Sequence, residues 1–320
     1  MKKIILIIAS IFIIINITAC SSSKQTSLPK WYLNSPSNTH NTLYGTGEAY
    51  SLNEAKTNAL KNMSEQLVVS VKSSMSTITK TSSSTYDKQL IRDINLKTKK
   101  ISFSNYKVTK AVQTAGTFYV LVEVDKIELF NEKQEELRLL DNKIDTSINN
   151  MQSLSKLEKI YALEKLKPTI LEAKDLSFIV HAINNNFDYS PYFTKYEEYI
   201  NQINILKNNL NIKIISNTKN THYKEYLKEL LTKENYKVSN SNEDVIIKIS
   251  NNIRYSTARG WQIVKASSTL NIISNNKTVS TKTISTIGRS SSTKQNALQS
   301  SALAFKKKIQ KIGIDKILYQ

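Results

Sequence analysis

The chain contains one cysteine, Cys20, and it stands at the end of an apolar leader. Lys2 and Lys3 come first, then an uncharged run from Ile4 to Ile17, then the small pair Thr18-Ala19 and the cysteine itself. A positive start, an apolar stretch of about fourteen residues and a small-residue cleavage site make up an export signal. The stretch is shorter than the roughly 20 apolar residues that cross a bilayer. This leader constrains everything behind it. The body is expected to fold outside the cytoplasm, and with no second cysteine it cannot be stapled by a disulfide. Its stability has to come from hydrophobic cores.

The segment Ile17-Thr18-Ala19-Cys20 resembles the lipobox of bacterial lipoproteins. That resemblance implies cleavage before Cys20, leaving residues 1–19 as a signal peptide and Cys20 as an acylated N-terminus. Each buried CH₂ adds about 0.8 kcal/mol, and stable anchoring takes more than one chain. The two or three acyl chains of such proteins meet that need. Ser21 follows the cysteine in place of the Asp that retains many lipoproteins at the inner membrane, so the outer membrane is the expected destination. Residues 20–29, polar and serine-rich, read as a lipidated tether.

Loss of the signal leaves about 300 residues, which at roughly 100–200 per domain suggests two domains large enough to bury their own cores. No later apolar run reaches membrane-spanning length, so the remainder is expected to be soluble. Ordered sequence begins near Trp31. Leu43 to Ala49 reads as a strand leading to a turn. Ser51-x-x-Glu54 is a capping box, and Leu52, Ala55, Ala59, Met63, Leu67, Val71, Met75 and Ile78 form one apolar helical face. The alanines at 55 and 59 keep this face narrow and allow another backbone to approach. A polar loop and a weaker helix around Leu90, Ile91 and Ile94 follow. Tyr106–Thr114 and Thr117–Lys126, separated by Ala115-Gly116, read as a hairpin with a buried second strand.

Strand signals then fade over residues 131–210. A helix is expected through Phe130, Leu137, Ile144 and Met151, and a second over 153–167 that breaks or restarts at Pro168. A third starts at Ser190-Pro191 with the stripe Tyr192, Tyr196, Tyr199, Ile203, Leu206 and Leu210. The stripe reads as core packing. The region reads as a helical hairpin or short coiled-coil spacer.

Residues 211–320 carry the order β-α-β-β-β-β-α. Turns fall at Ala258-Arg259-Gly260 and Asn275-Asn276. A capping box at Ser292-x-x-Gln295 opens a last helix with Leu298, Ala302, Phe305, Ile309 and Ile312 on one face. The fold class is therefore α+β: a strand–helix–hairpin domain over residues 30–130, a helical spacer, and a C-terminal α/β domain. Gly47 and Gly288 each end a strand four residues before a capping serine. The echo fits distant duplication or convergence on one strand-to-helix joint, and convergence is preferred because the apolar positions are offset by a residue.

The formal charge is +19, of which Lys2 and Lys3 leave with the signal. A nucleic-acid role does not follow. Only five residues, Arg92, Arg138, Arg254, Arg259 and Arg289, are the arginines that read phosphates and bases bidentately. The Lys, Asn, Ile and Ser surplus fits an AT-rich genome. The functional alternative is attraction to anionic envelope polymers or lipid headgroups, which salt would screen.

Catalytic chemistry is hard to find. His40, His181 and His222 are scattered, and no zinc or nucleophile motif is present. Gly45-Thr46-Gly47 starts like a dinucleotide loop, but Tyr50 occupies the third glycine position, so it reads as a packing point. Glu135-Glu136 and Glu197-Glu198 read as solvated pairs. Glu48 is the one carboxylate worth inspecting. No catalytic, cofactor or metal residue is expected; the chain reads as a non-enzyme, with Cys20 as its one site.

The run from Trp31 to Phe130 resembles the Lpp-twenty lipoprotein family. The matching pieces are Lys30-Trp31-Tyr32, Leu43-Tyr44-Gly45-Thr46-Gly47-Glu48-Ala49, Ser51, Ala55, Ala59 and Phe118-Tyr119-Val120-Leu121-Val122-Glu123-Val124-Asp125. The family is non-enzymatic, and the resemblance implies a structural or assembly role in the envelope or in motility, including assemblies around the flagellar base. Expected partners are the membrane through acylated Cys20, and envelope or flagellar proteins or further copies of this chain. The alternative is a module that binds peptidoglycan or another anionic envelope polymer.

Overall fold

A computed structural model describes residues 27–79, 101–217 and 221–319, with the backbone alone for 71–79. Cys20, the expected signal peptide, most of the expected tether and the helix expected around Leu90, Ile91 and Ile94 lie outside the described residues. The chain compacts into two units, residues 1–133 with 178–187, and residues 134–177 with 188–320.

The first unit contains α1 (Lys30–Leu33), β1 (Thr42–Ala49), α2 (Leu52–Thr79), β2 (Tyr106–Thr114) and β3 (Thr117–Asp125). The sheet order is β1-β3-β2, antiparallel throughout. β3 is central and has no charged residue between Phe118 and Val122, which suits a strand whose Tyr119, Val120, Leu121 and Val122 are all buried. The start of α2 follows the expected box in part: the Glu54 N–H donates to Ser51 Oγ at 3.3 Å. Ala55, Ala59, Met63 and Leu67 are buried beneath it, as their spacing predicts.

The narrow end of that stripe has a clear cause. A Cβ on Gly47 would lie 2.2 Å from the Ala55 carbonyl oxygen, and one on Gly45 2.3 Å from that of Ala59. The helix backbone therefore rests directly on β1. Because β1 is an edge strand, its outer backbone groups need other partners. Side-chain amides on one face of α2 supply them. Asn58 donates to the Glu48 carbonyl (2.8 Å), Asn62 accepts from the Thr46 N–H (3.3 Å), and Gln66 donates to the Tyr44 carbonyl (3.1 Å). Asn38 accepts from the Tyr44 N–H at 2.8 Å. The edge is closed to further strands by a helix.

Three helices follow, in the expected places: α3 (Lys126–Asn150), α4 (Lys156–Ile183) and α5 (Ser190–Asn208). Pro168 does not break α4 but lies inside it. An interior proline costs about 3 kcal/mol or more. Here Ile160 and Leu163 are buried before it and Ile170 and Ala173 after it, and that packing on both sides carries the helix through. In α5, Tyr196 is fully buried and its hydroxyl donates to Asp141 at 2.8 Å, in keeping with the stripe's reading as core.

The second unit also contains β4 (Asn211–Ser216), α6 (His222–Lys233), β5 (Lys237–Val238), β6 (Val245–Ala258), β7 (Trp261–Ser274), β8 (Lys277–Ser290), α7 (Lys294–Ile312) and the short α8 (Ile314–Leu318). The sheet order is β5-β4-β6-β7-β8; β4 runs parallel to β5 and β6, and β6 to β8 form an antiparallel meander. The expected element order is present, with α8 added. Both tight turns use left-handed backbone, at Arg259-Gly260 (φ 50° and 78°) and Asn275-Asn276 (φ 49° and 60°).

One core joins Ile212, Ile247 and Leu270 of the sheet to Leu227 of α6 and Phe305 of α7. The expected cap of α7 is displaced by one residue. Thr293, not Ser292, is the N-cap, and its hydroxyl accepts from the Asn296 N–H at 3.0 Å. Both hydroxyls precede the helix, and the extended backbone of Thr293 is the one that turns an oxygen toward the free N–H groups. Ile312 is likewise not part of the buried face, which ends at Ile309 before Gly313 stops the helix. A Cβ on Gly288 would lie 2.0 Å from the Ala297 carbonyl oxygen, so β8 and α7 meet as β1 and α2 do.

Candidate functional site

Glu48 lies exposed near the end of β1, and no catalytic partner gathers around it. Its carboxylate accepts a hydrogen bond from the Tyr32 phenol, which burial and that carboxylate push up to about 12. Tyr32 in turn packs edge-on to Tyr119, with ring centroids 4.8 Å apart. Glu48 therefore helps seat α1 on the sheet. Among the described residues no cluster of three or more His, Cys, Asp or Glu could hold a metal. Nδ1 of His181 sits 2.8 Å from the Phe187 carbonyl, a turn contact at the end of α4. His40 lines a cleft of about 470 Å³ in the first unit with Lys126, Phe130, Asn131 and Asn184. The cleft brings no nucleophile or acid–base pair together.

The acid pairs divide. Glu135 is solvated and forks onto Arg138, whose hydrogen bond holds its carboxyl below the usual range. Glu197 does not behave as a solvated acid. It pairs with Lys174, whose side chain is fully buried in α4. A charge removed from water needs a partner, so Glu197 is drawn in as the counter-ion. Lys207, nearly as buried, pairs with Glu164 at 2.6 Å. These pairs fasten helices to one another.

The surface that stands apart is the face of β6–β8 turned away from α6 and α7. Strand alternation puts Val245, Ile247 and Ile249 in the core and Lys248, Ser250, Asn252 and Arg254 outside. Register then lines up cross-strand rows. Ser250 faces Thr269, which faces Thr283; Asn252 faces Ser267, which faces Ser285; Arg254 faces Lys265, which faces Ile287. The hydroxyls of Thr269 and Thr283 are 3.1 Å apart, and Thr281 donates to Asn271 at 2.9 Å. A groove of about 720 Å³ lies by the second and third rows, bordered by Asn252, Arg254, Lys265, Ser267 and Ser285 of the sheet and, at the β8 edge, by Ala304 and Lys308 of α7. Lys308 Nζ donates to the Ser285 carbonyl at 2.7 Å. No ion pair joins Lys248, Arg254, Lys265 or Arg289 to a carboxylate among the described residues.

This surface has a sequence signal that overall charge conceals. Between Asp244 and Asp315 there is no Asp or Glu at all, while Lys and Arg recur throughout. Three of the five arginines, Arg254, Arg259 and Arg289, fall in this stretch. Lysines spread along the whole chain hide the local absence of acids.

Comparison with known proteins bears on the first unit. Residues 29–125 match the family model of the LPP20 lipoproteins. This is the family that the residues from Trp31 onward resemble. No curated protein matches the chain. Among solved structures, the secreted protein HP1454 of Helicobacter pylori aligns over 87% of this chain and 99% of its own, at 16% identity and a TM-score of 0.49. A minor lipoprotein of Acinetobacter baumannii aligns over 32% of this chain and 88% of its own, at 12% identity and a TM-score of 0.28. Lipoprotein GNA1162 of Neisseria meningitidis aligns over 32% and 99%, at 10% identity and a TM-score of 0.24. No helix among the described residues is long and apolar enough to cross a membrane.

Proposed function

We propose that this chain is a non-enzymatic lipoprotein of the bacterial outer membrane, anchored through acylated Cys20 and acting in envelope assembly through contacts made by its body. The observation that carries this reading is an LPP20 match that begins nine residues beyond a lipobox-like cysteine. In this reading residues 1–19 are removed, 20–29 form the tether, and 30–130 and 211–320 are the contact domains; the helical residues between them, expected as a spacer, compact for the most part with the second. A flagellar role is one branch of the assembly reading. Cys20→Ser is expected to abolish acylation, detected as loss of the lipid mass on the N-terminal peptide and release of the protein from membranes. Retention of the variant at wild-type levels would refute the anchor. Capture of the acylated protein from detergent-solubilised membranes, with partners identified by mass spectrometry, tests assembly; normal motility and an unchanged envelope interactome in a deletion strain would remove it.

A second reading, binding to an anionic envelope polymer, is favoured by one observation: the carboxylate-free cationic face of β6–β8.

A further inference from the structure

We infer that the open face of β6–β8 is a binding site for a carboxylate-bearing glycan, with Arg254, Lys265 and Arg289 as its anion contacts and Trp261 as its sugar platform. The inference rests on the second reading above and places it on named residues.

Arg254 and Lys265 occupy directly opposite positions on adjacent strands. Like charges set opposite each other destabilise a sheet. A fold that keeps such a pair, with no acid in the intervening sequence to relieve it, gains when an anion arrives. Arg289 lies on the same face, one row further along, opposite Ile263. Arginine is scarce in this lysine-rich chain, and its planar fork suits a carboxylate held bidentately.

The rows beside these cations set the chemistry of the rest of the ligand. Ser250, Thr269 and Thr283, then Asn252, Ser267 and Ser285, present hydroxyls and an amide in two adjacent cross-strand rows. Such groups both donate and accept, which matches sugar hydroxyls. Trp261 opens β7 on this face and is 48% exposed; its indole can lie against the C–H face of a sugar ring. A membrane surface would use the cations but has no need of an extended hydroxyl strip. We therefore assign the face to a polymer with alternating hydroxyls and carboxylates, for which cell-wall glycan is the test ligand.

The experiment is co-sedimentation of the full acylated chain, in detergent, with purified peptidoglycan sacculi. Wild type is expected to sediment at low salt and to be released as salt rises. The triple variant Arg254→Gln, Lys265→Gln, Arg289→Gln is expected to bind roughly tenfold or more weakly, since hydrogen bonds to charged groups are the strong ones. A control with the same charge change at exposed sites elsewhere, Lys143→Gln, Lys228→Gln, Lys233→Gln, is expected to keep binding. Trp261→Ala, which leaves the charge alone, is expected to weaken binding too. Circular dichroism of each variant confirms folding, which substitutions on an exposed face should leave intact. If wild type never sediments, the polymer reading falls and this inference with it. If wild type sediments and the triple variant does so equally, the polymer reading stands and the site is misassigned. Binding to phosphatidylglycerol vesicles but not to sacculi overturns the inference in favour of a lipid surface.

Discussion

The two units contain the same joint built in two ways. In each, an edge strand, β1 or β8, leads into a helix that lies back on it, and a strand glycine lets the helix backbone touch. Gly47 meets Ala55 at 2.2 Å from its missing Cβ, and Gly288 meets Ala297 at 2.0 Å. The spacing differs by one residue, because α7 starts one residue later relative to its glycine than α2 does. The polar content differs more. At the first joint, Asn58, Asn62 and Gln66 satisfy the outer edge of β1 from outside the core. At the second, the polar groups are inside it. Ser301 accepts from Tyr223 at 3.0 Å and shares a hydrogen with Thr286 at 2.8 Å, all buried. Steric fit at a glycine thus recurs, while the hydrogen bonding around it is free to vary. That favours convergence on one joint over distant duplication.

The comparison is tested most severely at the glycines. Gly47→Val and Gly288→Val each put a side chain into helix backbone, and a loss above about 4 kcal/mol is expected at either. Amide exchange read by mass spectrometry should show lost protection in β3 for the first and in β7 for the second. Tolerance of either variant would mean that the joint is not the shared device. Core truncation comes next. Met63→Ala under α2 should cost about 2–5 kcal/mol and Phe305→Ala under α7 about 3–5, read from urea midpoints.

The polar difference predicts smaller and unlike effects. Ser301→Ala leaves the Tyr223 hydroxyl and Thr286 short of a partner inside the core, at a cost of about 1–3 kcal/mol. Asn62→Ala and Gln66→Ala should cost less stability, because water can reach the strand edge. Their expected signature is self-association by strand addition, visible in sedimentation velocity.

The smallest effect is one of pH. Burial and Glu48 raise the folded-state phenol of Tyr32 from 10.0 to about 12. The folded state therefore keeps a proton that the unfolded chain loses. The stability from this contact is complete below pH 10 and drains away as pH rises toward 12. Tyr32→Phe should flatten that part of the stability profile. In the second unit Tyr196, Tyr236 and Tyr319 are also pushed up, by burial first. It should show the steeper alkaline loss.

Local patterning made much of this fold readable. Alternation and turn residues placed β2, β3 and β7 to the residue or nearly so, and the Ala55–Ala59 stripe announced a close backbone before any partner was known. Errors arose where tertiary packing outweighed a local signal. Pro168 marks a helix end in isolation but sits in a helix whose two sides are buried, and Glu197 resembles surface acid until Lys174 needs a counter-ion. The candidate face was partly legible, as a run with no acid from Val245 to Ile314. Its shape was not.

The sequence by itself therefore determined the apolar N-terminal run that ends in Cys20, the element order, and the sign of charge along the last third of the chain. These are properties of neighbouring residues and survive without a fold. Only the tertiary structure decided that Arg254 faces Lys265, that Ser267 lies between Asn252 and Ser285, and that Gly47 and Gly288 each carry a helix. Those relations depend on strand register and helix placement, and both are set by contacts between residues far apart in the chain.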